Sequence, residues 1–438
     1  MTHQFNRKAA FLAAAVSALL PAACATGGEA PPDTGAMLTV PMKLGQMADY
    51  GATPWYTDAI TLGSSPMHLA IDSGANFFWA TSDKCQTTAC NAHLKVNTTQ
   101  PGFTWIDTSS TKRSFGPWGD MYTWTGSVPV GINGVSYQAS NFFASVQYEG
   151  PKFEYLAWGG GIGMPSTSTW VEQGSGFLMG ELFKSGVLAQ PEFAMVTEPS
   201  TGMGYTYLGG PGDPSQYVQQ TEARLAPKKA AIGYLWGTEL ANVFLGGTPL
   251  PALQGQTFFL DSGSSRFKGD AQYLYPIMTP LSQMTGPDGQ PIFTRTYDEN
   301  GNWTGLYYTK GGPSDYQLPD VTLNMGETCY GYSAYQLQIT LSPEQYSYYV
   351  QEGDQAGKWA LAFHRLDGVG GLLVGSTFMD LVYSRFTYGL APEGQLIQSD
   401  MYLYRKSGGA QPKTYTCIYT DTGEAVPAEE LARRGSDS

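Results

Sequence analysis

Charge is scarce in this chain of 438 residues. Lys, Arg, Asp and Glu make up 14% of it, and the balance is acidic, with a formal net charge of −13. Nothing here would neutralise a phosphate backbone, which excludes nucleic acid as a partner. Histidine is scarcer still: His3, His68, His93 and His364 are scattered, without metal-ligand spacing beside Cys or carboxylates. No metal site is expected. Phosphate-cradling glycine loops are missing too, since "YLGGPGDPS" lacks the following Lys-Ser/Thr and reads as a turn. No cofactor is implied. A Gly-x-Ser-x-Gly element on a strand–turn–helix is also lacking, which argues against a serine hydrolase. The apolar stretch Ala9–Leu20 is too short to span a bilayer. Helical periodicity is confined to a few segments, "SGFLMGELFKSGVL" being the clearest, with "PAEELARRGSDS" reading as a frayed polar helix at the end.

What is abundant points elsewhere. The chain holds 54 Gly, 28 Tyr and 10 Trp, the composition of a turn-rich β protein. Its length exceeds what one core usually supports, so two lobes are expected. Short alternating or fully apolar runs such as "MHLAI", "GSVPVGINGVSY" and "TFFLD" are punctuated by Gly, Pro, Asn and Asp. "ING" at Ile132–Gly134 reads as a hairpin turn, and residues 283–305 as long loops. At the start, Arg7 and Lys8 precede the Ala9–Leu20 stretch, the pattern of a secretory signal over residues 1–24. Cleavage before Cys24 with lipidation of that cysteine competes with ordinary cleavage after Ala25. Removing or acylating Cys24 leaves four cysteines, an even number that suits an oxidising compartment. Residues 25–37 read as a flexible tether.

Two stretches raise the functional question. "IDSGANFFW" carries Asp72, and "LDSGSSRF" carries Asp261 in the other half of the chain. Each Asp-Ser-Gly follows an apolar strand, and each half later shows an apolar-Gly element, "GGGIGMPS" and then "GGLLVGSTF". Matching order suggests a duplicated lobe. Glycine lets another backbone approach closely, and the intervening Ser73 or Ser262 could hydrogen-bond to the partner loop. If the two aspartates meet across a pseudo-twofold axis, like charges ~3.5 Å apart repel by roughly 5 kcal/mol, about three pKa units. The pair would then hold one proton over a wide acidic range. One acid and one carboxylate can together polarise a carbonyl and take a proton from water.

On these residues the chain resembles the pepsin-like aspartic proteases, in an exported bacterial form. "WYTDAITLGSSPMHLAIDSGANFFW" is similar to the family's opening hairpin and first catalytic turn, with Trp79 where the family keeps a tryptophan. "FLMGELFKSGVLAQPEFAMV", "YTYLGG", "FFLDSGSS" and "LLVGSTFMDLVYSRFTY" follow in family order. The resemblance implies an all-β, bilobal fold with two pseudo-twofold-related β lobes and a central cleft. The lobes are assigned to residues 38–215 and 216–423, with 424–438 a polar tail. It implies catalytic Asp72 and Asp261, with Ser73, Gly74, Ser262, Gly263 and Ser264 supporting the two turns. It implies a flap over the substrate at Phe115, Gly116 and Trp118, and a Cys85–Cys90 disulfide loop. Cys329 and Cys417 could form a second bridge, one of three connectivities open to four cysteines.

Three positions depart from the family pattern. Ala75 stands where a serine usually bonds the first aspartate. Phe115 replaces the flap tyrosine, losing the hydroxyl that reaches the tryptophan at Trp79; Trp118 is a substitute, or the flap closes differently. Ser376 stands where an Asp is usual and reads as structural. The expected activity is endopeptidase cleavage of a polypeptide at acidic pH, beside bulky hydrophobic residues, by a monomer that carries no inhibitory propeptide. The alternative is a catalytically weak or inactive protein of the same fold that binds peptides in its cleft. The expected location is the periplasm or, through a lipid on Cys24, the outer membrane, with secretion as the alternative.

Overall fold

The computed structural model describes residues 35–49, 51–115, 118–229 and 231–434. The predicted signal, Cys24 and most of the tether lie outside the described residues, as do Gly116 and residues 435–438.

The repeat around the two Asp-Ser-Gly stretches is a repeat of strand pairing. Ala70–Asp72 runs parallel to Gly160–Gly163, with Asp72 opposite Gly163. That strand pairs antiparallel with Phe78–Thr81, which runs parallel to Val135–Glu149 with Trp79 opposite Phe143. In the second half Gln256–Leu260 runs parallel to Leu372–Val374. That strand lies antiparallel to Phe267–Gly269, which runs parallel to Phe363–Arg365. Strands covered on both faces read as continuous apolar runs rather than alternating ones. Ala70, Ile71, Phe258, Phe259 and Leu260 are accordingly all buried. The apolar-Gly elements noticed in sequence are the parallel partners that receive each Asp-bearing strand.

Three of the four sheets formed by the described residues have eight or nine strands. One is built from the first half, one from the second, and one from both. In the shared sheet Glu192–Glu198 pairs with Tyr383–Leu390, placing Phe193 opposite Phe386, and their rings stack at 4.5 Å. The result is a mostly β, bilobal fold of the expected kind. The fourth sheet, of four strands, sits in the second half.

Local chemistry explains most of the elements. Asn133 and Gly134 take φ of 47° and 84°, the left-handed pair that a two-residue hairpin needs, and they join Asp120–Ile132 to Val135–Glu149. Leu178–Lys184 is the helix expected from its periodicity, and Ala428–Arg434 is the expected C-terminal one. Two expectations need correction. Residues 283–305 are a loop only in their first part, 283–292: beyond it Phe293–Tyr297 and Trp303–Tyr308 pair as a hairpin. A twelve-residue helix, Ala271–Ser282, also went unexpected because Pro276 and Pro280 lie inside it. Each interior proline costs about 3 kcal/mol of helix stability. Burial of Leu274, Ile277, Met278 and Leu281 on one face outweighs them.

Candidate active site

The two Asp-Ser-Gly turns meet head to head and exchange hydrogen bonds. Ser73 N donates to Ser262 Oγ at 2.9 Å, and Ser262 N donates to Ser73 Oγ at 2.9 Å. Each serine hydroxyl then donates across the seam, Ser73 to Leu260 O at 2.9 Å and Ser262 to Ile71 O at 2.7 Å. Four reciprocal bonds between buried groups fix one turn against the other. The glycines make room. A Cβ on Gly74 would overlap the Asp261 carboxylate, and a Cβ on Gly263 would overlap that of Asp72. Close approach, rather than an unusual φ, is what demands glycine at both positions.

The carboxylates are thereby brought together. Each carboxylate lies against the glycine of the other turn, and Asp72 is held well above the usual carboxylate range. Burial is the larger cause and the charge of Asp261 the second; the Gly74 N–H and the Lys268 ammonium pull the other way. Asp72 keeps partial exposure, while Asp261 is 8% exposed. Each accepts from the backbone of its own turn, Gly74 N to Asp72 Oδ1 at 2.8 Å and Gly263 N to Asp261 Oδ1 at 2.9 Å. Only Asp261 has a hydroxyl partner within its turn: Ser264 Oγ donates to its Oδ2 at 2.6 Å. Ala75 leaves that role unfilled beside Asp72.

Thr104–Ser114 and Asp120–Ile132 pair as a hairpin whose tip meets the residues that follow the first turn. Its tip is closed by Phe115 N donating to Gly119 O at 2.9 Å. Phe115 packs by its edge against Trp79 at 5.3 Å and Phe77 at 5.4 Å, so an aromatic contact stands where a tyrosine hydroxyl was missed. Trp118 turns inward, 8% exposed, with its ring 5.7 Å from Trp158. Trp158 Nε1 donates to Thr53 O at 3.0 Å, and Thr53 N donates to Gly263 O at 2.9 Å. A chain of contacts therefore joins the hairpin tip to the second turn. Cys85–Cys90 and Cys329–Cys417 are both disulfide-bonded. Ser376 N donates to Ser264 O at 2.9 Å, which ties it to the second turn's backbone.

Several neighbours of the pair were not foreseen. Tyr234 is pushed up to about 12, by burial first and then by the charges of Asp72 and Asp261. Trp170, 54% exposed, accepts a bond at its carbonyl from Asn76 Nδ2 at 2.7 Å. Lys268 is buried on the strand Phe267–Gly269, and Arg266 is buried just before it. The sequence signal for these two is the pair of cations flanking Phe267 shortly after the second Asp-Ser-Gly. Among the described residues, no three His, Cys, Asp or Glu side chains are grouped to hold a metal ion.

Comparison with known proteins bears on the same region. A family model described as eukaryotic aspartyl protease matches residues 55–391. Cathepsin E of Cavia porcellus is 23% identical over 304 residues, covering 66% of this chain and 74% of its own. Gastricsin of Homo sapiens is 23% identical over 235 residues, 53% of this chain and 58% of its own. An aspartic protease of Phaffia rhodozyma is 24% identical over 360 residues, covering 80% and 77%. The alignment to the human gastricsin thus spans less than two thirds of that relative's length.

Proposed function

The chain belongs to the eukaryotic aspartyl protease family, and from that premise we propose that it is an endopeptidase working through Asp72 and Asp261. The single observation that supports the reading is the reciprocal lock of the two turns, which sets each carboxyl group against the glycine of the other turn. Two carboxylates so placed cannot both ionise in the acid range. The acid of the pair donates to the substrate carbonyl oxygen, and the carboxylate takes a proton from a water whose oxygen attacks the carbonyl carbon. The resulting diol passes a proton to the amide nitrogen, and the C–N bond breaks to give an acid and an amine.

The substrate is an extended polypeptide in the cleft. Phe77, Phe115, Tyr234 and the exposed face of Trp170 offer aromatic surface beside the pair, which suits bulky apolar side chains next to the cut bond. Phe115 and Trp118 lie in the hairpin that covers the site and excludes water from it. Two disulfides fit an oxidising compartment, which supports export; anchoring through Cys24 remains part of that proposal.

Asp72→Asn and Asp261→Asn should each lower cleavage of an unfolded protein at pH 3–5 by about 10³-fold, within the range for losing a general acid or base. Their circular dichroism should stay native. Full activity in either variant removes the reading. Ala75 and Phe115 favour one rival, a peptide-binding protein with little turnover. Pepstatin-type inhibition of measurable cleavage separates an enzyme from that rival.

A further inference from the structure

Lys268 is a buried cation without a carboxylate of its own. It is 5% exposed on the strand Phe267–Gly269, and its Nζ donates to Gly51 O at 2.8 Å and to Ser264 Oγ at 2.9 Å. Among the described residues no carboxylate oxygen lies within 4.0 Å of that nitrogen. An unpaired buried ammonium is costly, so its charge must be matched at longer range.

The surrounding groups leave one match. Two residues before Lys268, Arg266 is paired with Asp49, Nη2 to Oδ1 at 3.3 Å, with the Tyr307 hydroxyl donating to the same carboxylate and Arg266 lying 5.0 Å from the Tyr348 ring. On the adjacent strand His364 stands opposite Lys268. It faces Arg266 Nη1 across 3.1 Å, and burial, then the charges of Arg266, Lys268 and Lys152, push it well below the ordinary histidine value. From the hairpin of Thr104–Ser114 and Asp120–Ile132 the Trp118 ring stands 6.0 Å away. Across the seam stand Asp261 and Asp72. Burial brings Lys268 down to about 8 against the pull of those two carboxylates, so it is cationic throughout the acid range.

The donors run in one direction. An ammonium only donates, so Ser264 Oγ accepts from Lys268 and commits its own proton to Asp261 Oδ2. Asp72, beside Ala75, has no such relay. We propose that Lys268, acting through Ser264, is a positioning residue that keeps the pair's negative charge on Asp261 and its proton on Asp72, and so moves the enzyme's working range toward acid. This rests on the endopeptidase reading and adds to it a division of labour: Asp72 is the acid toward the carbonyl, and Asp261 is the base toward water. A fixed positive charge favours each ionisation of the pair, so both limbs of the pH profile lie lower with Lys268 than without it.

The test is the pH profile of kcat/KM for Lys268→Met, Ser264→Ala and the double variant. Lys268→Met should move both limbs to higher pH by about one unit, the low end for losing a nearby opposite charge. Ser264→Ala should move them the same way. The double variant should move little further than the larger single shift, because both act on one relay. Superimposed profiles, with only kcat or Tm lowered, overturn the proposal. Should Lys268→Met fail to fold, an unmoved profile in Ser264→Ala overturns it alone. The pH dependence of Tm between pH 3 and 7 gives a readout that needs no turnover. Asp72→Asn removes the pair's contribution to that curve, and Lys268→Met moves it to higher pH. An enzyme without activity would sink the endopeptidase reading, while the Tm curve would still decide the role of the lysine.

Discussion

The two Asp-Ser-Gly turns share a backbone and differ in what stands around it. Each ends an apolar strand, each is received by a parallel apolar-Gly strand, and each serine bonds the other turn. Past the glycines they part. The first continues as Ala75-Asn76-Phe77-Phe78-Trp79, apolar where it enters the core; the second continues as Ser264-Ser265-Arg266-Phe267-Lys268, which carries two hydroxyls and two buried cations. Position is set symmetrically, by hydrogen bonds that need only the main chain and a serine. Charge is set asymmetrically, by residues a few places further on. A duplicated fold can therefore hold two like groups at one spot and still give them different chemistry.

The largest break of the symmetry comes from the glycines. Gly74→Ala pushes a methyl into Asp261, and Gly263→Ala pushes one into Asp72. Each should separate the carboxyl groups and lower kcat/KM by about 10²-fold or more, the scale of a misplacement near 1 Å. Overpacking should also cost about 1–3 kcal/mol of stability. Turnover and urea unfolding on both variants check this, and retention of near-wild-type turnover in either would mean that the turns do not need so close a contact.

The disulfides offer a second contrast between the halves, this time in stability. Cys85–Cys90 closes a separation of 5 residues and Cys329–Cys417 one of 88. Loop-closure entropy gives about 2 kcal/mol for the short bridge and about 4–5 kcal/mol for the long one. Replacing each pair by alanine and measuring urea midpoints should show the second half losing more. Equal losses would point to native packing around the cysteines, rather than the denatured chain, as the origin of the effect.

Much of the site was legible because its signals are local. Asp-Ser-Gly and Asn133-Gly134 each tie a backbone geometry to a few adjacent residues, while the Cys85–Cys90 pairing was legible through the family resemblance. The helix Ala271–Ser282 was hidden because Pro276 and Pro280 argue against it locally, while the burial that stabilises it is tertiary. The relay from Lys268 was hidden for a related reason. Its acceptor Gly51 O belongs to a segment in the other half, whose Ala52 bridges to Ser264. A lone lysine in an apolar strand announces an anomaly, and only the fold supplies its partners.

The smallest change sharpens the contrast most. Ala75 and Ser264 hold equivalent places: Ala75 N donates to Asp72 O at 3.4 Å, and Ser264 N to Asp261 O at 3.2 Å. Ala75→Ser would give Asp72 the hydroxyl donor that Asp261 already has. A donor to the charged form lowers a carboxyl pKa, so the limbs of the kcat/KM profile should move to lower pH by about half a unit to one unit. That is opposite in sign to Lys268→Met. Stability follows the same linkage. Because Asp72 is raised in the folded state, its contribution is fully present below the unfolded value and is lost as pH rises through the folded one. Lowering the folded value narrows that window, so Ala75→Ser should gain stability relative to wild type near neutral pH and gain less, or none, near pH 3. A profile displaced upward, or stability gained only in acid, would show that the new hydroxyl bonds elsewhere and that the turns differ in geometry as well as in charge.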